Sequence, residues 1–176
     1  MMLAGIVHDA DRMDQTLRLL VDAARLATGN LDLFREQTYI RDLVEQIAAM
    51  QARDPEHPGV VFAGEPGPFF VDPARLRTTV LAFCEALTWW GADGDITITT
   101  DRQGDVLHLT AARGSGSDLD DAGVAALFQA RSPGTGGGSK IGLYVARGLA
   151  QAQGGRAWGE VAEATLTLHL ELPLGI

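Results

Sequence analysis

The stretch GGGSKIGLYVARGLAQAQGG (residues 136–155) runs a glycine-rich loop straight into an amphipathic helix and closes it with a glycine pair. Ile141, Val145, Leu149 and Ala152 recur at steps of four, four and three, one apolar stripe of a helix resting on a core. Gly154 and Gly155 supply the left-handed stop. Gly134, Gly136, Gly137, Gly138 and Gly142 leave backbone N–H groups uncrowded, and Lys140, the only lysine, adds a positive charge beside the helix N-terminus. Loop and helix together suit an anion such as phosphate. The glycines by themselves fit a plain surface loop equally well.

Around this stretch lie 176 residues, 46% of them hydrophobic, enough to bury a core for one domain with an appended element. A net charge of −9 argues against nucleic acid or an anionic membrane surface as the main partner, because both reward clustered Lys and Arg. Cys84 is the single cysteine, so no internal disulfide framework exists. It falls in an apolar helical pattern, where a buried free thiol in a reducing cytoplasm is the expectation. No apolar run approaches the roughly 20 residues a bilayer span needs, and the N-terminus lacks a basic region followed by an apolar segment. Direct membrane insertion of this segment is therefore not expected, and any receptor portion would lie elsewhere.

From the N-terminus, Leu3, Ile6, Ala10, Met13, Leu17, Leu20, Ala24 and Ala27 alternate steps of three and four, a heptad seam that asks for a partner helix. Asp9, Asp11, Arg12, Asp14, Gln15, Arg18, Asp22 and Arg25 occupy the other faces, and Gly29 with Asn30 ends the helix. A single helix packed on its own domain is the competing reading. LDLFRE (31–36) alternates like a strand, and residues 39–52 form a second helix through Ile40, Leu43, Val44 and Ile47, with Thr38 as its cap. VVFA (60–63) and a short segment ending at Val71 read as strands. Asp72 and Pro73 then start a helix carrying Leu76, Val80, Phe83, Cys84 and Leu87 and ending near Gly91.

DITITTDRQGDVLHLTAA (95–112) gives two strands around a tight turn at Gln103 and Gly104. ARGSGSDLDD (112–121) is a polar loop, in which Asp118, Asp120 and Asp121 read as solvated or helix-capping, and AGVAALF is a short helical turn. RAWGEV and ATLTLHLEL make a closing hairpin, with Ala164, Leu166, Leu168 and Leu170 on one face and Thr165, Thr167 and His169 on the other. This order predicts an α+β fold with helices on one face of a mixed, mostly antiparallel sheet, preceded by one long helix.

These elements, in this order and spacing, resemble the ATP-binding catalytic domain of sensor histidine kinases, the GHKL or Bergerat-fold ATPases, a two-layer α/β sandwich. The likeness covers essentially the whole chain. Residues 9–33 resemble the second helix of the kinase dimerisation bundle and its exit, implying a division into 1–30 (bundle helix) and 31–176 (catalytic domain). DPARLRTTVLAFCEALTWW (72–90) sits at the family's N box, GSG (114–116) in its first glycine box, Phe128 at its F box, and residues 136–155 at its second glycine box. The resemblance implies ATP-lid and phosphate contacts at Gly114, Gly116, Gly138, Lys140, Gly142 and Leu143.

The departures fall on the polar positions by which the family holds nucleotide and Mg²⁺. Its magnesium-binding asparagine matches Ala86, the first asparagine of the box matches Ala82, and the following lysine and tyrosine match Trp89 and Trp90. A slip of one residue changes nothing, since the sole asparagine of the chain is Asn30. The aspartate that reads the adenine amino group matches Ala112, and Lys140 replaces a glycine. Losing a buried charge-assisted hydrogen bond to adenine costs about 1.5–3 kcal/mol, roughly ten- to a hundredfold in affinity. Lys140 offers a phosphate contact and no metal site. Glu85, the one carboxylate of the N-box helix, is expected to be exposed.

The expectation is thus a histidine-kinase-like module of a two-component phosphorelay in which binding of ATP and Mg²⁺ is weak or absent and no residue ligates metal. Homodimerisation and docking of a response regulator would be its work, in the cytoplasm. Two alternatives stand beside it: a competent kinase domain with divergent motifs, and a histidine phosphotransferase with a vestigial catalytic domain. His8, followed by Asp9, is the one phosphoacceptor candidate by position, although its helix matches the second bundle helix rather than the acceptor-bearing first. His108 and His169 lie on strands and read as structural, and His57 lies in a turn.

Overall fold

The computed structural model describes residues 2–116, 119–129 and 141–175. A long helix α1 (Met2–Thr28) leads through an irregular segment to β1 (Glu36–Thr38) and α2 (Ile40–Gln51). There follow β2 (Val60–Gly64), β3 (Phe69–Val71), α3 (Pro73–Trp90), β4 (Ile96–Gln103) and β5 (Val106–Gly114). The chain closes with α4 (Asp121–Leu127), α5 (Gly142–Ala152), β6 (Arg156–Ala162) and β7 (Thr165–Pro173).

Five strands form one sheet in the order β2-β4-β5-β7-β6. β2 runs parallel to β4 and every other pairing is antiparallel, so the sheet is mixed and mostly antiparallel, as expected. Alternation along β4, β5 and β7 turns Ile96, Ile98, Leu107, Leu109, Leu166, Leu168 and Leu170 toward the helices, where they join Phe83, Leu87 and Ile47 in the main core. β1 and β3 pair separately, Thr38 opposite Phe69.

Two local expectations are corrected. The strand lies at Glu36–Thr38 rather than across 31–36, because Phe69–Val71 offers partners only there. Thr38 is consequently a strand residue, and Tyr39 stands at the start of α2 without a side-chain cap. The start of α3 is as expected: the Asp72 carboxylate accepts from the Arg75 N–H at 3.1 Å, and from the Phe34 N–H at 2.8 Å, fastening the incoming segment as well. Pro73 occupies the first turn.

The helix α5 differs from its expected single stripe in an informative way. Val145 and Leu149 face Leu19 of α1, with Ala23, Leu26 and Ile141 around them, and form a small core of their own. The opposite face, Leu143, Ala146 and Ala150, enters the main core, while Ala152 is exposed. α5 is thus sandwiched between α1 and the sheet, which a helix apolar on two sides allows. At its end, the Gly155 N–H reaches Ala150 O at 2.8 Å and the Gly154 N–H reaches Gln151 O at 3.0 Å, with Gly154 at φ +80°. A Cβ at Gly155 would stand 1.9 Å from Glu171 O, so the glycine pair both stops the helix and admits β7.

The remaining faces of α1 split unexpectedly. Asp22, placed off the seam by its spacing, is buried and paired with Arg75 of α3. The heptad seam, by contrast, is bare: Ile6, Met13, Leu17 and Leu20 are exposed, as are Val7 and Val21.

Candidate functional site

α3, the first turn of α5 and the end of β5 carry the described residues that the resemblance assigns to nucleotide. α5 packs on α3 at Gly142, where a Cβ would lie in ordinary contact, 3.4 Å from the Ala82 Cβ. The same point is 3.9 Å from Oε2 of Glu85. Glu85 is therefore half-buried and aimed at the N-terminal end of α5, a correction to its expected exposure. A carboxylate near a helix N-terminus is favoured by the helix dipole. Ala86, one residue on, packs against the main core.

At the end of β5 the pleat revises one assignment. Leu107, Leu109 and Ala111 are fully buried on the helix side, and the pairing to β7 continues without a bulge to Gly114. Ala112 accordingly turns to the outer face, and the inward positions are Ala111 and Arg113. An alanine stands at the strand end in either register, so the missing carboxylate does not depend on a slip of one residue. Arg113 was not singled out from sequence. Its Nε donates to Gly94 O at 2.9 Å, its Nη1 to Leu87 O at 3.0 Å and its Nη2 to Ala92 O at 3.2 Å. The guanidinium thus ties β5 to the last turn of α3 and to the connection that follows it, a contact between segments that no local sequence signal gives.

Gly114 and Gly116 serve packing. The Gly114 carbonyl accepts from Ala92 N–H at 2.7 Å, and a Cβ on Gly116 would stand 2.4 Å from the Ala92 Cβ. Ser115 N–H, between them, donates to Ala164 O at 2.7 Å, so the glycine box fastens the α3–β4 connection to the β6–β7 turn. Leu143 is a core residue, 6% exposed. Phe128 is buried under Gly159 of β6. Asp120 caps α4, accepting from Gly123 N–H at 2.7 Å, and Asp121 accepts from Val161 N–H at 3.3 Å. Trp89 is 53% exposed, while Trp90 packs on the core. Gly134, Gly136, Gly137, Gly138, Lys140 and Asp118 lie outside the described residues, as does the side chain of His8.

The donor set is read among the described residues only. Among the described residues, α3 carries Ala82 and Ala86, which offer no side-chain oxygen, and Glu85 lies beside the start of α5.

No family model matches the chain. It is 28% identical over 180 residues to a bacteriophytochrome of Pseudomonas aeruginosa, a match covering 96% of this chain and 24% of that protein. Among solved structures, the Acinetobacter baumannii histidine kinase AdeS superposes with TM-score 0.78 at 14% identity, covering 98% of this chain and 83% of that one. Full-length ShkA, solved in complex with AMPPNP, gives 0.75 at 23% identity over 92% of this chain and 36% of its own. The catalytic domain of histidine kinase ThkA, nucleotide-free, gives 0.69 at 14% identity over 81% and 96%. Among the described residues no helix is long and apolar enough to cross a membrane. With its five-stranded mixed sheet, its helical layer and these neighbours, the chain has the fold of histidine kinase catalytic domains, the GHKL ATPase fold.

Proposed function

We propose that this chain is a histidine-kinase-like signalling module of a two-component system whose nucleotide chemistry is weakened or lost. The observation that supports it is the packing of α5 on α3, where Ala82 and Ala86 stand at the positions at which a metal and phosphates would need oxygen donors. Among the described residues of α3, no amide side chain stands at these two positions to take up magnesium. Residues 1–30 act as the second helix of a dimerisation bundle and 31–176 as the vestigial catalytic domain. The work that remains is association through the bare seam of α1 and docking of a response regulator, in the cytoplasm.

Isothermal titration of the chain with ATP and Mg²⁺ tests this reading. The expected outcome is no saturable heat below millimolar nucleotide. Micromolar affinity would overturn it in favour of a competent kinase domain with divergent motifs.

A further inference from the structure

On the face of the sheet turned away from the helices, four titratable side chains line up across four strands. Asp101 of β4 stands 3.6 Å from Nδ1 of His108 on β5, and Nε2 of His108 lies 3.3 Å from Nδ1 of His169 on β7. Nε2 of His169 lies 3.1 Å from Oε1 of Glu160 on β6. The two imidazoles are stacked, with centroids 5.5 Å apart at 11°, and the Trp158 indole covers His169 at 4.8 Å and 5°. The Arg156 guanidinium sits 4.3 Å over that indole and is held by two hydrogen bonds, 2.6 and 3.1 Å, to Glu171. The charged groups facing the pair are therefore Asp101 of β4, Glu171 of β7, and Glu160 and Arg156 of β6. Among the described residues no three such side chains converge on a metal position.

Counting protons gives this line a definite capacity. Carboxylates only accept, so each imidazole must donate outward to close the two ends, and the central link between the rings needs one more proton. Two neutral imidazoles bring two protons for three links. They make the central bond and the His169–Glu160 bond, and leave His108 Nδ1 facing Asp101 across 3.6 Å, beyond hydrogen-bond range. One added proton, on His108 Nδ1, closes that gap as a charge-assisted link. A second proton, on His169 Nδ1, sets two donors against each other 3.3 Å apart and stacks two cations.

We propose that His108 and His169 form a one-proton switch: a single proton completes an unbroken hydrogen-bonded line from β4 to β6, and a second breaks it at its centre. Burial, the largest influence, holds His169 below the ordinary imidazole value of 6.5 against the opposing pull of Glu160, which keeps the second proton away until acid pH. The device has a place to act. β6 supports α4 through Gly159 against Val124 and Phe128 and through the Asp121–Val161 bond.

NMR titration of the imidazole nitrogens in the full chain, from pH 8.5 to 4.5, tests the switch. Both rings are expected to respond in two shared steps, as coupled groups do. His108→Gln should collapse these to a single step at His169. Asp101→Asn, which leaves both rings in place, should move the first step to lower pH and leave the second where it is. Independent one-step titrations, each indifferent to substitution at the other ring, would overturn the proposal, as would an unmoved first step in Asp101→Asn.

Discussion

At the scale of single residues, environment rather than residue type decides chemistry in this chain. Cys84 lies on α3 with no exposed surface, and burial pushes its thiol up to about 12. At pH 8 that leaves on the order of one thiolate in ten thousand, so native protein should resist iodoacetamide. Mass spectrometry should show alkylation only on unfolding; rapid labelling of the native chain would place the thiol in a more polar setting. Its burial was legible from the apolar pattern of α3. The roles of His108 and His169 were legible only as far as "strand", because their meeting depends on strands β5 and β7, which are 61 residues apart at the contact. Glu85 was misread for a related reason: helical position gives a direction, and the neighbour found there, the end of α5, comes from elsewhere in the chain.

Among elements, the attachment of α1 is the least forecast feature. Its contact rests on Leu19, Ala23 and Leu26 against α5, and on Asp22 buried beside Arg75 of α3, with Thr78 Oγ1 3.5 Å from the carboxylate. Burying this pair is expensive and its net value small, whereas removing one partner strands the other charge. Asp22→Ala should therefore cost about 3 kcal/mol or more in chemical denaturation and speed hydrogen exchange along α1. Asp22→Leu with Arg75→Met should recover most of that loss. A single variant as stable as the parent would show that the pair carries no part of the attachment. The heptad template places Asp22 off its one apolar seam and says no more of it, whereas α1 uses a second, narrower face for its own domain.

For the molecule as a whole, an exposed apolar seam beside an independently packed face points to a partner outside this chain. Ile6, Met13, Leu17 and Leu20 remain open while Leu19 and Leu26 are spent on α5. Sedimentation equilibrium should find a monomer passing to a weak dimer with rising concentration. Leu20→Glu should abolish association and shift stability by no more than about 0.5 kcal/mol, since the site is exposed. Association unchanged by this variant would move the interface off the seam.

Local pattern by itself determined the element order, the α+β class, the caps at Asp72 and Gly154, and the absence of asparagine where the resemblance calls for it. These are short-range facts, set by periodicity, backbone preference and composition. Only tertiary structure decided that α5 has two partners, that Ala112 turns outward and Arg113 inward, and that Glu85 faces a helix end. It also joined four strands through two histidines. Each of those depends on register or helix orientation, and a shift of one residue reverses the face a side chain occupies.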